Sequence, residues 1–272
     1  EDLIGEIDLS FSGEYHFDID VLFLCMGHGQ SSTFLEANPV PESVAIIDLS
    51  RDYRLSEEYI YGLPELNRSA IQSSNRIANC GCFATTIQLG LLPMAAEGLL
   101  KEEVHIHAIT GSTGAGQSPR ATTHFSWRNN NLSIYKAFTH QHLGEIKRSL
   151  VQLQPDFDKN LNFLPLRGDF PRGIFASLYT QTELSAAEVE ALYQDYYQAH
   201  PFTIVTEKNP YLKQVVNTNK ALVHVEKHED KILIISMIDN LLKGASGQAV
   251  QNMNLVFGLP ETMGLQLKAL AF

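Results

Sequence analysis

The chain is predicted to adopt an α/β fold, a doubly wound parallel sheet on its N-terminal side followed by a mixed α+β region. Three observations carry this. Residues 20–26 form a short, almost wholly apolar run ending in Gly27-His-Gly29, the pattern of a strand buried on both faces. Residues 44–48 repeat that pattern, with helical spacing between the two. Beyond about residue 80 the pattern changes to alternating strands and a hairpin, and no linker or internal repeat interrupts it.

Taken in order, residues 31–38 give one or two helical turns, stopped by Pro39 and Pro41, so the opening reads strand, helix, strand, half of a nucleotide-binding architecture. An apolar strand stops at Gly81. Residues 83–100 carry apolar side chains at helical spacing, interrupted by Pro93. Residues 104–109 alternate like a strand with one wet face, to which His105 and His107 are assigned. A helix over 143–154 and strands over 161–165 and 173–182 follow. Ser185-Ala-Ala-Glu188 is a capping box that opens a helix ending near His200. Residues 221–226 and 231–237, joined by Lys227-His-Glu-Asp230, read as an antiparallel hairpin, and a last helix is expected over 241–257.

Composition narrows the function. The 272 residues are 44% hydrophobic and 19% charged, ordinary globular usage, and 20 Lys+Arg against 31 Asp+Glu give a formal charge of -11. A nucleic-acid or anionic-membrane partner would need a local patch opposing that field, so neither is expected. Three Cys without Cys-x-x-Cys spacing fit a reducing compartment, read as the cytoplasm, better than a disulfide framework. No apolar run approaches the length of a membrane span. The first residue is Glu1, not Met, so a motif missing at the N-terminus is not thereby missing from the native protein.

The strongest chemical signal is Asn79-Cys-Gly-Cys-Phe-Ala-Thr-Thr86, where a strand stops at a glycine and Cys82 opens the following helix. Unpaired amides and the positive end of the helix dipole favour thiolate there, making Cys82 the candidate nucleophile, with the Phe83 and Ala84 amides as candidate oxyanion donors. Cys25 and Cys80 are read as small core residues. Tyr135-Lys-Ala-Phe-Thr-His-Gln-His142 places two histidines in a polar loop, one of them a candidate acid/base; a zinc site with His105 and His107 lacks the usual ligand spacing. Gly111-Ser-Thr-Gly114-Ala-Gly116 is either an anion nest or a plain flexible turn, and Gly27-His-Gly29 lacks the third glycine of a dinucleotide fingerprint. Arg167 and Arg172 precede a strand, and either can clamp a carboxylate or phosphate. Residues 239–251 combine a helix start with small residues, shaped for packing by default or for a ligand phosphate.

Together, Asp48-Leu-Ser-Arg-Asp-Tyr-Arg-Leu55, Tyr61-Gly-Leu-Pro-Glu-Leu-Asn67, Gly81-Cys-Phe-Ala-Thr85, Gly114-Ala-Gly116, His140-Gln-His142 with Glu145-Ile146, Arg172-Gly-Ile174, Asn217-Thr-Asn219 and Ile238-Asp-Asn-Leu-Leu-Lys-Gly-Ala-Ser-Gly-Gln-Ala-Val-Gln-Asn252 resemble, in order and spacing over nearly the whole chain, the N-acetyl-gamma-glutamyl-phosphate reductases of arginine biosynthesis. The resemblance implies a Rossmann domain for NADP over residues 1–81 and 245–272, incomplete at its N-terminus, and an α+β catalytic and dimerisation domain of the semialdehyde dehydrogenase type over 82–244. It implies Cys82 as nucleophile and His140 as acid/base, Arg172, His142, Tyr135 and Asn79 toward the substrate, and Gly27, Thr113, Gly114, Ala115, Gly116 and Asn240 toward the cofactor, with no metal. The implied reaction is NADPH-dependent reductive dephosphorylation of a small-molecule acyl phosphate, N-acyl-gamma-glutamyl phosphate, through a Cys thioester, in a homo-oligomer, dimer or tetramer. The N-acyl group, acetyl or succinyl, stays open.

Cys80 stands where the family usually has Pro, Gln117 where many members have Arg, and Gly144 replaces a Pro. The family's first strand and Gly-x-x-Gly-x-x-Gly turn precede anything in these residues and are expected to have been lost from this chain. Three alternatives are aspartate-semialdehyde dehydrogenase activity, cofactor-free Cys/His acyl hydrolysis, and an inactive fragment without its phosphate-binding turn.

Overall fold

The computed structural model describes residues 5–8 and 10–270. The first unit is a parallel sheet of β1 (Val21–Leu24), β2 (Ala45–Asp48), β3 (Ile60–Gly62) and β4 (Arg76–Asn79), in the order β1-β2-β4-β3. Helix α1 (Ser31–Ala37) crosses from β1 to β2 and ends at Asn38, before the two prolines. The continuous apolar strand β2 is buried throughout, as expected of a central strand. β1 lies at the sheet edge and is only partly buried, and Cys25, just past its end, is exposed, which corrects its reading as a core residue. Cys80 is buried as expected. Helix α2 (Pro64–Gln72), with Pro64 at its first turn where the missing N–H costs nothing, connects β3 to β4.

Helix α3 (Cys82–Ala96) runs between the two units and is buried on every side, its residues 83–95 all enclosed. Pro93 does not interrupt it, contrary to the sequence reading. The carbonyl of Leu89, which loses the amide of residue 93, accepts instead from the Tyr197 hydroxyl at 2.5 Å, and Tyr193 donates to the neighbouring Gly90 carbonyl at 2.6 Å.

The second unit is a seven-stranded mixed sheet of β5 (Val104–Thr110), β6 (Ser133–Ile134), β7 (Leu161–Arg167), β8 (Ile174–Gln181), β9 (Thr203–Val205), β10 (Ala221–His228) and β11 (Lys231–Ile238), ordered β6-β7-β5-β8-β11-β10-β9. The expected hairpin is β10–β11, paired from Ala221 with Ile238 to His228 with Lys231. A short helix α4 (Phe125–Arg128) precedes β6; α5 (His142–Leu153) and α6 (Ala186–Tyr197) pack with α3 against one face of the sheet. The capping box forms as written, Glu188 N–H to Ser185 Oγ at 3.3 Å and Ser185 N–H to Glu188 Oε2 at 2.8 Å. The opposite face carries His107 and Tyr179, both exposed, with His105 stacked on Tyr179 at 4.7 Å, so His105 and His107 occupy the wet face assigned to them.

The last helix, α7 (Ser246–Val256), begins five residues later than expected. Residues 241–245 instead form a turn folded on the wholly buried Asp239, whose Oδ1 accepts the Leu241 and Leu242 amides at 2.8 and 3.1 Å and whose carbonyl accepts Gly244 N–H at 2.9 Å. From there α7 returns to the first sheet, joining Ala249 and Leu255 to Ile47, Ile71 and Ile77.

Candidate active site

The carboxyl end of β4 leads through Gly81, extended at φ -72° and ψ 147°, into Cys82, the first residue of α3. Glycine is required at 81 because a Cβ would stand 2.4 to 2.7 Å from His142 Nε2, Arg54 Nη1 and Glu145 Oε1. Those atoms belong to a buried cluster that fixes the turn. Arg54 pairs with Glu145 at 3.1 Å and donates to the Asn79 carbonyl at 2.9 Å and to the Leu49 carbonyl at 3.0 Å. Glu145 Oε2 accepts from the Tyr61 hydroxyl at 2.8 Å and from Gly81 N–H at 3.1 Å. The Asp48–Leu55 motif thus supplies the cation, and α5 the anion, that pin the peptide just ahead of Cys82.

Cys82 opens into a pocket of about 410 Å³. The structure brings together on its wall Asn79, Thr113, Gly114, Ala115, Gly116, Tyr135, His140, His142 and Asn240. Two of the sequence candidates lie elsewhere. Gly27 sits in an exposed loop, where its N–H donates to Gln30 Oε1 at 3.2 Å. Arg172 is held at 3.0 Å by the Asp239 carboxylate, so its charge is neutralised outside the pocket. Sequence reasoning missed Arg54, Glu145 and the wall residues Arg120 and His28; Arg54 and Glu145 did carry a signal, as members of the resemblance blocks.

Burial outweighs the helix terminus at the thiol. Cys82 is pushed up from the usual cysteine range, first by desolvation, against the opposing pull of Arg54 and of the Phe83 amide that donates to the sulfur. The expected resting thiolate is therefore replaced by a neutral thiol. His140 is pushed down to about 3, chiefly by burial and then by His142, so it rests as neutral imidazole. Its Nδ1 lies 3.3 Å from the His142 amide nitrogen. His142 is held well below the usual histidine range by the same burial and by Arg54.

The loop over residues 111–116 is not an anion nest. The amides of Gly111, Ser112, Thr113, Gly114 and Gly116 all donate to backbone carbonyls. What the loop presents is small side chains at close approach: a Cβ on Gly114 would meet Thr110 Oγ1 at 2.8 Å, and Gly116 adopts φ +77°. Asn240 locks it in place, with Nδ2 donating to Thr113 Oγ1 at 3.0 Å and Oδ1 accepting Gly173 N–H at 2.7 Å. Below it, the fully buried Lys243 donates to Glu65 Oε1 at 2.8 Å and Gln251 Oε1 at 2.9 Å, tying the 241–245 turn to α2 and α7. Gly244 brings that turn against the nucleophile, since a Cβ there would stand 2.8 Å from Cys82 Cβ. Among the described residues no group of His, Cys, Asp or Glu is arranged to hold a metal ion.

The parallel sheet whose carboxyl ends meet a cysteine at a helix N-terminus, backed by an antiparallel-rich second sheet, belongs to a chain of the semialdehyde dehydrogenase class. Residues 5–74 match the family model of the semialdehyde dehydrogenase NAD-binding domain, and residues 82–240 that of the semialdehyde dehydrogenase dimerisation domain. The aspartate semialdehyde dehydrogenase II of Vibrio cholerae shares this fold, with a TM-score of 0.71 at 18% identity, covering 90% of this chain and 82% of that one. Within that class, the chain belongs to the N-acetyl-gamma-glutamyl-phosphate reductase family. The reductase of that name from Bacteroides fragilis is 59% identical over 276 residues, spanning 100% of this chain and 86% of the relative. That from Parabacteroides distasonis is 58% identical over 274 residues, spanning 99% of this chain and 85% of the relative.

Proposed function

We propose that the chain catalyses the NADPH-dependent reductive dephosphorylation of an N-acyl-gamma-glutamyl phosphate to the semialdehyde, a step of arginine biosynthesis. The observation that carries this reading is the placement of Cys82, with neutral His140, in one pocket that also receives the carboxyl ends of the parallel strands. Those ends are where such sheets bind dinucleotides. Here His28 follows β1, Leu49 follows β2 and Asn79 closes β4, and all three line the pocket together with the small residues 113–116, so the residues present fit a nicotinamide group. When bound, NADPH supplies the hydride that reduces the acyl group.

The protein's own part begins with the thiol. The Cys82 sulfur attacks the gamma-carbonyl, forming a thioester as the carbon–oxygen bond to phosphate breaks. Its proton passes to the neutral imidazole of His140, which gives it back to the Cys82 sulfur as the hemithioacetal collapses and the aldehyde departs. The Phe83 amide, already directed at the sulfur, and the Ala84 amide behind it are the donors for the developing oxyanion. Tyr135, His142 and Asn79 shape the substrate side of the pocket; Thr113, Gly114, Ala115, Gly116 and Asn240 shape the cofactor side.

In this reading residues 1–81 with 245–272 form the NADP-binding domain and 82–244 the catalytic and dimerisation domain. The open face of the seven-stranded sheet, with Tyr179 and His107 exposed upon it, is the surface for a second copy of the chain. The compartment is the cytoplasm; among the described residues no helix is long and apolar enough to cross a membrane.

The test is phosphate-dependent reduction of NADP by N-acetyl-glutamate semialdehyde, assayed beside aspartate semialdehyde. Cys82→Ser should abolish it. A Cys82→Ser enzyme with near-wild-type turnover, or equal preference of the wild type for aspartate semialdehyde, overturns the assignment.

A further inference from the structure

The nucleophile has a second thiol one glycine away. Cys80 stands where the family usually has Pro, is 1% exposed, and lines the same pocket as Cys82. The reaction proposed above makes no use of it. Its thiol lies against the Tyr61 hydroxyl, and both Cys80 and Cys82 feel the charges of the Arg54–Glu145 pair.

Backbone geometry lets these two sulfurs meet and excludes the other pairing. Gly81 between them sits at φ -72° and ψ 147°, a polyproline-like conformation that advances the chain about 3.1 Å per residue. The Cα atoms of Cys80 and Cys82 therefore stand about 6.5 Å apart, near the upper end of the span a disulfide bridges. Cys25 follows β1, which β2 separates from β4; at about 4.8 Å per strand it lies about 10 Å away, out of bridging range. Closing the bridge asks the two side chains to rotate, Cys80 away from the Tyr61 hydroxyl and Cys82 away from the Phe83 amide.

We infer that Cys80 is a resolving thiol for Cys82, so that hydrogen peroxide converts the pocket's reactive cysteine into a reversible Cys80–Cys82 disulfide. This rests on Cys82 and His140 acting as read above. Burial pushes both thiols up from the usual cysteine range, so each rests protonated and the first step needs a base. His140 takes the Cys82 proton as the sulfur attacks one peroxide oxygen and the O–O bond breaks. The sulfur is oxidised to a sulfenic acid, and the proton passes to the departing hydroxide, which leaves as water. The Cys80 sulfur then attacks the Cys82 sulfur; the S–O bond breaks, and the sulfenic hydroxyl departs with the Cys80 proton as a second water. Two thiols and one peroxide thus give one disulfide and two waters. The bridge withdraws the nucleophile until a thiol reductant reopens it, and it spares Cys82 the irreversible sulfinic stage.

In the test the full chain is reduced, freed of reductant, exposed to hydrogen peroxide, blocked with N-ethylmaleimide and digested with trypsin. Residues 77–101 form one peptide that holds Cys80 and Cys82 and leaves Cys25 in another. In the wild type this peptide should become lighter by two hydrogens and unreactive to the maleimide, with activity lost in step, and dithiothreitol should reverse both changes. In Cys80→Ala the same dose should leave Cys82 heavier by two oxygens, with no return of activity on reduction. No bridged peptide in the wild type at a dose that oxidises the exposed Cys25 overturns the proposal, as does a bridge from Cys82 to Cys25 in its place. If Cys80→Ala fails to fold, the wild-type masses decide by the same criteria. A wild-type enzyme without phosphate-dependent activity defeats the proposed reaction instead, and the peptide masses still judge the bridge.

Discussion

Replacing Glu145 should be among the most damaging single changes in this molecule. Its side chain and that of Arg54 are 4% and 7% exposed, and the two close a cluster with Tyr61 and the Gly81 amide. Truncation to Ala leaves a guanidinium buried without its counter-charge, a loss of about 3–5 kcal/mol. It also takes the acceptor from the Tyr61 hydroxyl, which itself accepts from Gln88 Nε2 at 2.8 Å. Glu145→Gln keeps the shape and one carbonyl oxygen, so a smaller loss of about 2 kcal/mol is expected. At about 2–4 °C per kcal/mol for a chain of this size, Glu145→Ala should lower the thermal midpoint by roughly 6–20 °C. The control is Arg54→Met with Glu145→Met, which removes both charges and should be less damaging than Glu145→Ala. Turnover should fall as well, because Glu145 holds the peptide that precedes Cys82. A Glu145→Ala midpoint within about 2 °C of wild type, or a double variant as unstable as the sum of its singles, would refute the claim that this pair organises the turn.

Three further outcomes follow from the same geometry. Tyr197→Phe should cost about 1–2 kcal/mol in urea unfolding, and adding Pro93→Ala should recover part of it by giving the Leu89 carbonyl an amide donor again; strict additivity of the two would count against that account. His140 is neutral in the fold down to about pH 3, whereas an ordinary histidine gains its proton near pH 6.5, so stability is full above about pH 6.5 and is lost as the pH falls through that window, by at most about 1.4 kcal/mol per pH unit; His140→Asn should flatten the change in urea midpoint between about pH 7 and pH 5, and identical slopes would remove His140 as its source. Tyr179→Asp, on the open face of the second sheet, should shift the molecular mass measured by light scattering toward the monomer, and an unchanged mass would move the interface elsewhere.

Much of the architecture was legible because it is written locally. The apolar runs that became β2 and β4, the period-two alternation of β5, the Ser185 capping box and the β10–β11 hairpin each depend on residues a few positions apart. The turn that sets Cys82 at the start of α3 was equally visible, from a strand, a glycine and a helical period in succession.

What the sequence alone could not determine is whatever depends on partners far apart along the chain. Helix α7 starts late because Asp239 claims the amides of the preceding turn, and Pro93 is tolerated because two tyrosines about a hundred residues away supply donors to α3. Arg167 and Arg172 look alike in the sequence; only the fold gives one an aspartate and leaves the other facing the pocket. The Cys82 thiol is the sharpest case. Its place at a helix N-terminus, a local property, favours the thiolate, while the desolvation that favours the thiol comes from the enclosed setting that α3, α5 and the 241–245 turn create around it. Dipoles and caps act over one turn of chain, whereas burial is a sum over everything the fold brings near, and at this site the sum is larger.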